Sequence, residues 1–245
     1  TAAANQQQAP APIRRLNRFQ YNNAVKDLLQ LKGNVFKLPE KLMTRRGNYL
    51  NPVSNQMPAR VQVLSESMNP QAGLKDVKAF PKDLRAAHGF DNQANQLTLS
   101  PLLLDAFLRL SVSIVESPDF NESHVGIWNN FFKAPATGTP LETAVRQRLE
   151  PFLQQAFRRQ IKPETLNRYV NYARAQMAQE LSFTDSMKKV VAAVLSSPMF
   201  LYRYSSPERT AAPFELASNL SFFLWGSLPD QELLELAAAG RLSEP

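Results

Sequence analysis

The chain has 245 residues, of which 44% are hydrophobic, and it carries a formal net charge of +7 with a sequence pI near 9.7. It contains no cysteine and only two histidines, which excludes disulfides, thiolate metal sites, catalytic thiols and covalently attached c-type haem on this chain. No apolar run approaches the roughly 20 residues that span a bilayer, so the sequence does not predict a transmembrane protein.

The first helix is predicted to begin at Asn17. The Asn17 side chain can cap a helix, and Gln20, three residues later, completes a capping box. Leu16 and Tyr21 occupy the two positions of a hydrophobic staple, and apolar residues continue from there at helical spacing. The turn at Gly33 is predicted to end this helix.

Residues 33–73 are predicted to form one long irregular segment. They are rich in Pro, Gly and Asn and lack periodicity, although a short strand could form over residues 60–64. Further along, His88, Asp91 and Asn92 lie within four residues of one another. Short polar side chains after a glycine suit a tight turn. The alternative is a polar ligand site, which usually draws its residues from more distant segments.

Helical signals dominate after residue 100. Ser100 followed by Pro101 predicts a helix start, and the predicted buried stripe of that helix is Leu104, Phe107, Leu108, Ser111 and Val115. A capping box at Thr139 predicts the next helix, which Pro151 should kink or split. Two more helices are predicted, one from Pro163 to Leu181 and one that Ser182 caps and that ends at Ser197.

The last two predicted helices run from about Pro213 to Trp225 and from Asp230 to Gly240. Large apolar residues occupy more than one side of the first, and a helix that is apolar all round needs partners on several sides. The sequence therefore predicts an apolar patch covered by another chain or a further segment. Its predicted interface residues are Phe222, Phe223, Trp225 and Leu234.

The positive charge is concentrated in the first quarter of the chain. Residues 1–60 contain ten Lys or Arg against two acidic residues. Such a patch attracts an acidic protein face, anionic lipid or a sulfated polysaccharide, and the simpler alternative is a solvated surface that aids solubility. No nucleic-acid motif accompanies it, so nucleic acid is not a predicted partner. The candidate anion- or partner-binding residues are Arg14, Arg15, Arg18, Arg45 and Arg46.

Signatures of common enzyme classes are missing from the sequence. It has no Gly-rich phosphate loop, no Gly-x-Ser-x-Gly and no His-Glu-x-x-His, and its two histidines lie in separate regions. We therefore predict no catalytic residue, no metal site and no cofactor on this chain. The predicted fold class is all-α, a bundle-like array of several helices interrupted by the irregular segment.

Three stretches taken together resemble one protein family. They are RRLNRFQYNN at residues 14–23, GFDN at residues 89–92 and LASNLSFFLW at residues 216–225, and SSPMFLYR at residues 196–203 agrees with them. In this order they resemble planctomycete-type multi-module proteins of unknown function, which are commonly fused to a c-type cytochrome domain. The predicted organisation is a flexible leader over residues 1–12, helical modules over 13–135 and 136–210, and the start of a further module over 211–245.

The resemblance implies an exported protein, in the periplasm or outside the cell. The leading interpretation is a non-catalytic structural or interaction module of an extracytoplasmic electron-transfer assembly, with haem c on a partner chain or another domain. One alternative is part of an exported oxidoreductase acting on a carbohydrate or other polymer, with catalytic groups elsewhere. Another alternative is an anion- or sulfated-polysaccharide-binding module. Association with a membrane surface is compatible with all three.

Overall fold

The computed structural model describes residues 14–38, 41–46, 62–67, 72–81, 101–136, 138–203 and 212–243. Helices make up most of this part of the chain, which confirms the all-α class. In chain order the elements are β1 (Arg14–Arg15), α1 (Arg18–Leu29), β2 (Lys41–Arg46), β3 (Gln62–Ser67), α2 (Pro101–Glu116), a π-helical turn (Trp128–Phe132), α3 (Leu141–Phe157), α4 (Pro163–Ala178), α5 (Phe183–Leu195), α6 (Pro198–Leu201), β4 (Tyr202–Arg203), α7 (Ala212–Leu224), α8 (Gln231–Ala238) and a 3-10 turn (Arg241–Ser243).

Helix α1 begins as predicted. The Asn17 side chain accepts a hydrogen bond from the Gln20 backbone N–H at 2.9 Å, and the Asn17 N–H donates to the Gln20 side chain at 3.3 Å. The predicted end at Gly33 is wrong, because Gln30 already caps the helix in the left-handed conformation with φ of 50°. A non-glycine residue rarely adopts this conformation, so sequence patterns favour the later glycine.

The irregular segment contains an antiparallel ribbon. Strands β2 and β3 pair from Lys41 opposite Ser67 to Arg46 opposite Gln62, so the prediction of turns alone is wrong for β2. Local periodicity did not reveal this strand because its partner lies far along the chain. The segment is closed where Asn34 bridges Gly73, and the Leu74 N–H donates to the Asn34 carbonyl at 3.1 Å.

Helix α2 buries a face that matches the predicted one only in part. Phe107, Ser111 and Val115 are buried as expected, whereas Leu104 and Leu108 are exposed. Apolar residues occur around most of this helix, so its contact with α5 decides which face is buried. The predicted cap Ser100 lies outside the described residues.

Helix α3 starts and continues differently from the prediction. Pro140 occupies the N-cap position and no side chain caps the helix, so the capping box at Thr139 is wrong. The helix also runs unbroken through Pro151, so the predicted split is wrong. Pro151 and Gln147, whose carbonyl loses its intrahelical partner, are both exposed, and water can replace that hydrogen bond.

Helix α5 lies at the centre of the helical array. It packs against both α2 and α4, and α4 packs against α3. Ser182 caps α5 through the Asp185 N–H, as predicted. After α5 ends, Ser197 caps the short helix α6, which leads directly into β4.

An aromatic cluster forms the N-terminal half of the main core. The Tyr21 ring lies with its centroid 5.7 Å from those of Phe80, Phe107 and Phe200, and 6.3 Å from that of Phe36. Helix α7 reaches the same core through Phe222. A second, smaller core lies between α7 and α8, formed by Phe214, Ala217, Leu234 and Ala237.

Candidate partner-binding surface

The two arginines of β1 have opposite surroundings, because consecutive strand residues point to opposite sides. Arg15 is 1% exposed, and its guanidinium carbon lies 5.4 Å from the ring centroids of both Phe80 and Phe107. Its Nη1 donates to the Leu16 carbonyl at 2.8 Å. The structure thus places Arg15 in the aromatic core, out of reach of an external anion, while Arg14 is exposed.

Arg18 joins helix α1 to the segment that follows the ribbon. Its Nε donates to the Phe80 carbonyl at 2.6 Å, and its guanidinium carbon lies 5.9 Å from the Phe80 ring centroid. This contact gives Arg18 a structural role. Of the other predicted basic residues, Arg45 and Arg46 lie on β2, where the structure describes the backbone alone.

Arg203 is a basic residue that sequence reasoning missed. It lies on β4 directly opposite Arg14. Its Nη2 donates to the Asn219 side chain at 2.6 Å, and its guanidinium carbon lies 4.7 Å from the Phe222 ring centroid. Burial, with a smaller contribution from the charge of Arg14, lowers the pKa of Arg203 to about 10.

Arg158, also missed, fixes the chain where it enters β4. Its guanidinium donates to the carbonyls of Phe200, Met199 and Tyr202 at 3.1, 2.9 and 2.9 Å. The segment before β4 is thereby tied to the end of α3. This arrangement holds β4, and with it Arg203, in place beside α7.

The predicted interface residues divide into two groups. Phe222 is 5% exposed and Leu234 is 4% exposed, and both belong to cores within the chain. Phe223 is 84% exposed and Trp225 is 45% exposed. Only the second group is available for contact with a partner.

Helix α7 carries an exposed apolar stripe on the side away from the cores. We call this stripe the C-terminal apolar face. Its members follow the i, i+4, i+7, i+8 spacing of a single helix face. They are Leu216, Leu220, Phe223 and Leu224, and all four are classed as exposed large hydrophobic residues.

Further exposed groups lie close to the C-terminal apolar face. Asn219, on α7 between two members of the face, is the residue that Arg203 contacts. Phe19 of α1 is half-exposed and lies against Gly226, where an added Cβ would come within 2.8 Å of the Phe19 ring. The apolar surface is therefore accompanied by arginine on β4 and by an aromatic ring on α1.

A cleft of about 460 Å³ with mixed polar and apolar lining lies between α1 and the connection from α7 to α8. Both of its carboxylates already have partners: the Ser227 hydroxyl donates to Asp27, and Asp230 caps α8 through the Leu233 N–H. Both carboxylates therefore serve structural contacts that hold α7, α8 and the connection between them. The lining residues of the cleft are Lys26, Asp27, Gln30, Leu31, Gln155, Trp225, Leu228, Pro229 and Asp230.

The described ranges contain no group of three His, Asp or Glu residues placed to hold a metal ion. In the same ranges no helix is long and apolar enough to cross a membrane. His88, Asp91 and Asn92, the predicted polar ligand site, lie outside the described residues.

Three family models match successive parts of the chain. PSD3, a protein of unknown function (DUF1587), matches residues 14–43 and 71–117, and PSD5, a protein of unknown function (DUF1595), matches residues 144–204. PSD4, a protein of unknown function (DUF1592), matches residues 212–245. These three models describe domains of planctomycete-type multi-module proteins, and the matched parts of the chain are similar to them.

The two arginines of the β1–β4 pair and the C-terminal apolar face fall in different PSD matches. Arg14 lies in the PSD3 match, Arg203 in the PSD5 match, and the C-terminal apolar face in the PSD4 match. The PSD3 match skips residues 44–70, which include all of β3 and half of β2. No curated protein and no solved structure matches the chain.

Proposed function

We propose that this chain is a non-catalytic interaction module of an extracytoplasmic electron-transfer assembly. The observation that carries the proposal is the C-terminal apolar face. Helix α7 already fills two cores with its other residues, and yet it exposes four large apolar side chains in one stripe. A helix that is apolar on both sides is typical of an element with a second packing partner.

A c-type cytochrome is the partner that we propose, because of the kind of modules to which the chain is similar. The chain is similar to modules of proteins that, by the sequence resemblance, are commonly fused to a c-type cytochrome domain. Without cysteine, this chain cannot attach a c-type haem itself. The haem would therefore lie on another domain or chain, which the C-terminal apolar face contacts. We propose that the assembly lies in the periplasm or outside the cell. C-type cytochromes occur there, and a chain without cysteine suits an oxidising compartment.

The experiment is isolation of the tagged protein from its native host under mild conditions, with Soret absorbance of the purified material as the readout. We expect haem absorbance to copurify with the natural chain. Phe223→Ser combined with Leu220→Ser should abolish it, because these changes remove apolar contact area on α7 without touching either core.

Tyr172→Ser is the matched control, since Tyr172 is an exposed aromatic residue on α4. This variant should retain the haem signal. Equal haem recovery with the double variant and the natural chain would contradict the proposed contact surface. Absence of haem from the natural complex would contradict the electron-transfer assignment, and circular dichroism of each variant shows that the fold is retained.

A further inference from the structure

Two arginines face each other across the ribbon formed by β1 and β4. Arg14 and Arg203 are directly opposed in this antiparallel pair. Side chains at such positions lie on the same face with their Cβ atoms about 4.5–5.5 Å apart, and like charges placed there repel. The fold therefore holds two positive charges together at a defined position.

Arg203 cannot relieve the repulsion by turning away into solvent. The hydrogen bond from its Nη2 to Asn219 and its stacking on Phe222 fix the guanidinium. Its Nε is buried without a hydrogen-bond acceptor, and in the described part of the chain Nη2 alone donates to a protein group. A guanidinium carries five N–H donors, and the two on Nη1 remain open to a ligand, whereas the buried Nε–H is closed to solvent.

No carboxylate of the described residues compensates these charges. The ion pairs within those ranges join Arg109 to Asp105, Arg174 to Glu142 and Lys189 to Glu116, all on other elements. Arg203 is fixed, and the exposed Arg14 lies on the same face of the ribbon. An anionic ligand stabilises two like charges placed together in this way.

We infer that Arg14 and Arg203 form a binding site for a tetrahedral dianion, with inorganic phosphate and inorganic sulfate as the two forms to test. Two guanidinium groups supply two positive charges, which a dianion neutralises and a single carboxylate does not. The planar donor fork of arginine also matches two oxygens of one phosphate or sulfate group. The site is independent of the C-terminal apolar face, although Asn219 places the two side by side.

The test is isothermal titration calorimetry at pH 8, where inorganic phosphate is mainly the dianion, and at constant ionic strength, with phosphate, sulfate and acetate as separate titrants. We expect phosphate or sulfate to bind with a stoichiometry near one, and acetate to bind at least about tenfold more weakly. Arg14→Gln and Arg203→Gln should each weaken binding of the dianion by about tenfold or more, since each removes a charge-assisted contact.

Arg146→Gln is the matched control, because Arg146 also donates to an asparagine side chain, Asn167, at 2.7 Å. It should leave binding of the dianion unchanged. A second readout uses stability: in chloride buffer, Arg14→Gln should be at least as stable as the natural chain, because repulsion is relieved. Added phosphate or sulfate should then raise the Tm of the natural chain more than that of Arg14→Gln.

Three outcomes would overturn the site: no binding of either dianion to the natural chain, equal binding of acetate, or the same loss of binding in Arg146→Gln. Arg14 is exposed and contributes no core contact, so a loss of binding in Arg14→Gln cannot be attributed to unfolding.

Discussion

Substitution of Gly73 by alanine tests how the long segment between α1 and α2 is closed. A Cβ on Gly73 would lie 2.3, 2.6 and 2.8 Å from the Cα, C and N atoms of Phe36. Real Cβ atoms do not approach the backbone this closely, so the chain segments around Gly73 and Phe36 must move apart. Phe36 is 1% exposed and belongs to the aromatic cluster around Tyr21, so the separation disturbs the core.

The size of the effect follows from two contributions. Forcing extra volume into a packed site costs about 1–3 kcal/mol, and weakening the hydrogen bond from the Leu74 N–H to the Asn34 carbonyl costs about 1 kcal/mol more. We therefore expect Gly73→Ala to reduce the free energy of unfolding by about 2–4 kcal/mol, which lowers the Tm by roughly 10 °C in a chain of this size.

Urea denaturation and differential scanning calorimetry of the purified chain measure this loss. Gly33→Ala is the matched control, because no atom lies within 4 Å of a Cβ at that position. It should leave stability unchanged or raise it by about 0.4–1 kcal/mol through the unfolded state. Equal stability of the Gly73 and Gly33 variants would refute the close approach of Gly73 to Phe36.

Three further substitutions test the capping box, the aromatic core and the anchor of β4. Asn17→Ala should cost about 1 kcal/mol, the usual loss for an N-cap, and unchanged urea melts would show that Asn17 does not cap α1. Tyr21→Phe should be neutral or stabilising by up to about 1 kcal/mol, because the Tyr21 hydroxyl is buried without a hydrogen-bond partner within the described ranges and burial raises its pKa; a clear loss of stability would reveal a partner. Arg158→Met should cost about 3 kcal/mol or more, because carbonyls at the start of β4 lose their donor, and a calorimetric Tm equal to that of the natural chain would contradict this role.

Local chemistry explains which parts of the fold the sequence predicted. The caps at Asn17 and Ser182 depend on residues within one helical turn, and the structure contains both. The helix end at Gln30 was not predicted, because a left-handed glutamine carries no local signal. Strand β2 was missed for a different reason, since its pairing involves residues far along the chain.

For the candidate surface, too, the sequence predicted what neighbouring residues determine, and it could not predict what contacts with distant residues determine. The sequence indicated that the helix around Phe223 is apolar on more than one side. It could not show that Phe222 faces a core while Phe223 faces solvent, because packing against the rest of the chain decides this. The sequence could not reveal the pairing of Arg14 with Arg203 either, since the two strands that create it lie far apart in the sequence.

Site-specific photo-crosslinking at Phe223 tests the central claim most directly. Phe223 is replaced by p-benzoylphenylalanine in the protein in its native host, and crosslinked products are identified by mass spectrometry and haem staining. The proposed contact surface predicts a haem-containing crosslinked product from position 223 and none from the matched position Tyr172. Crosslinking to no haem protein at position 223, or equal crosslinking at both positions, would contradict it.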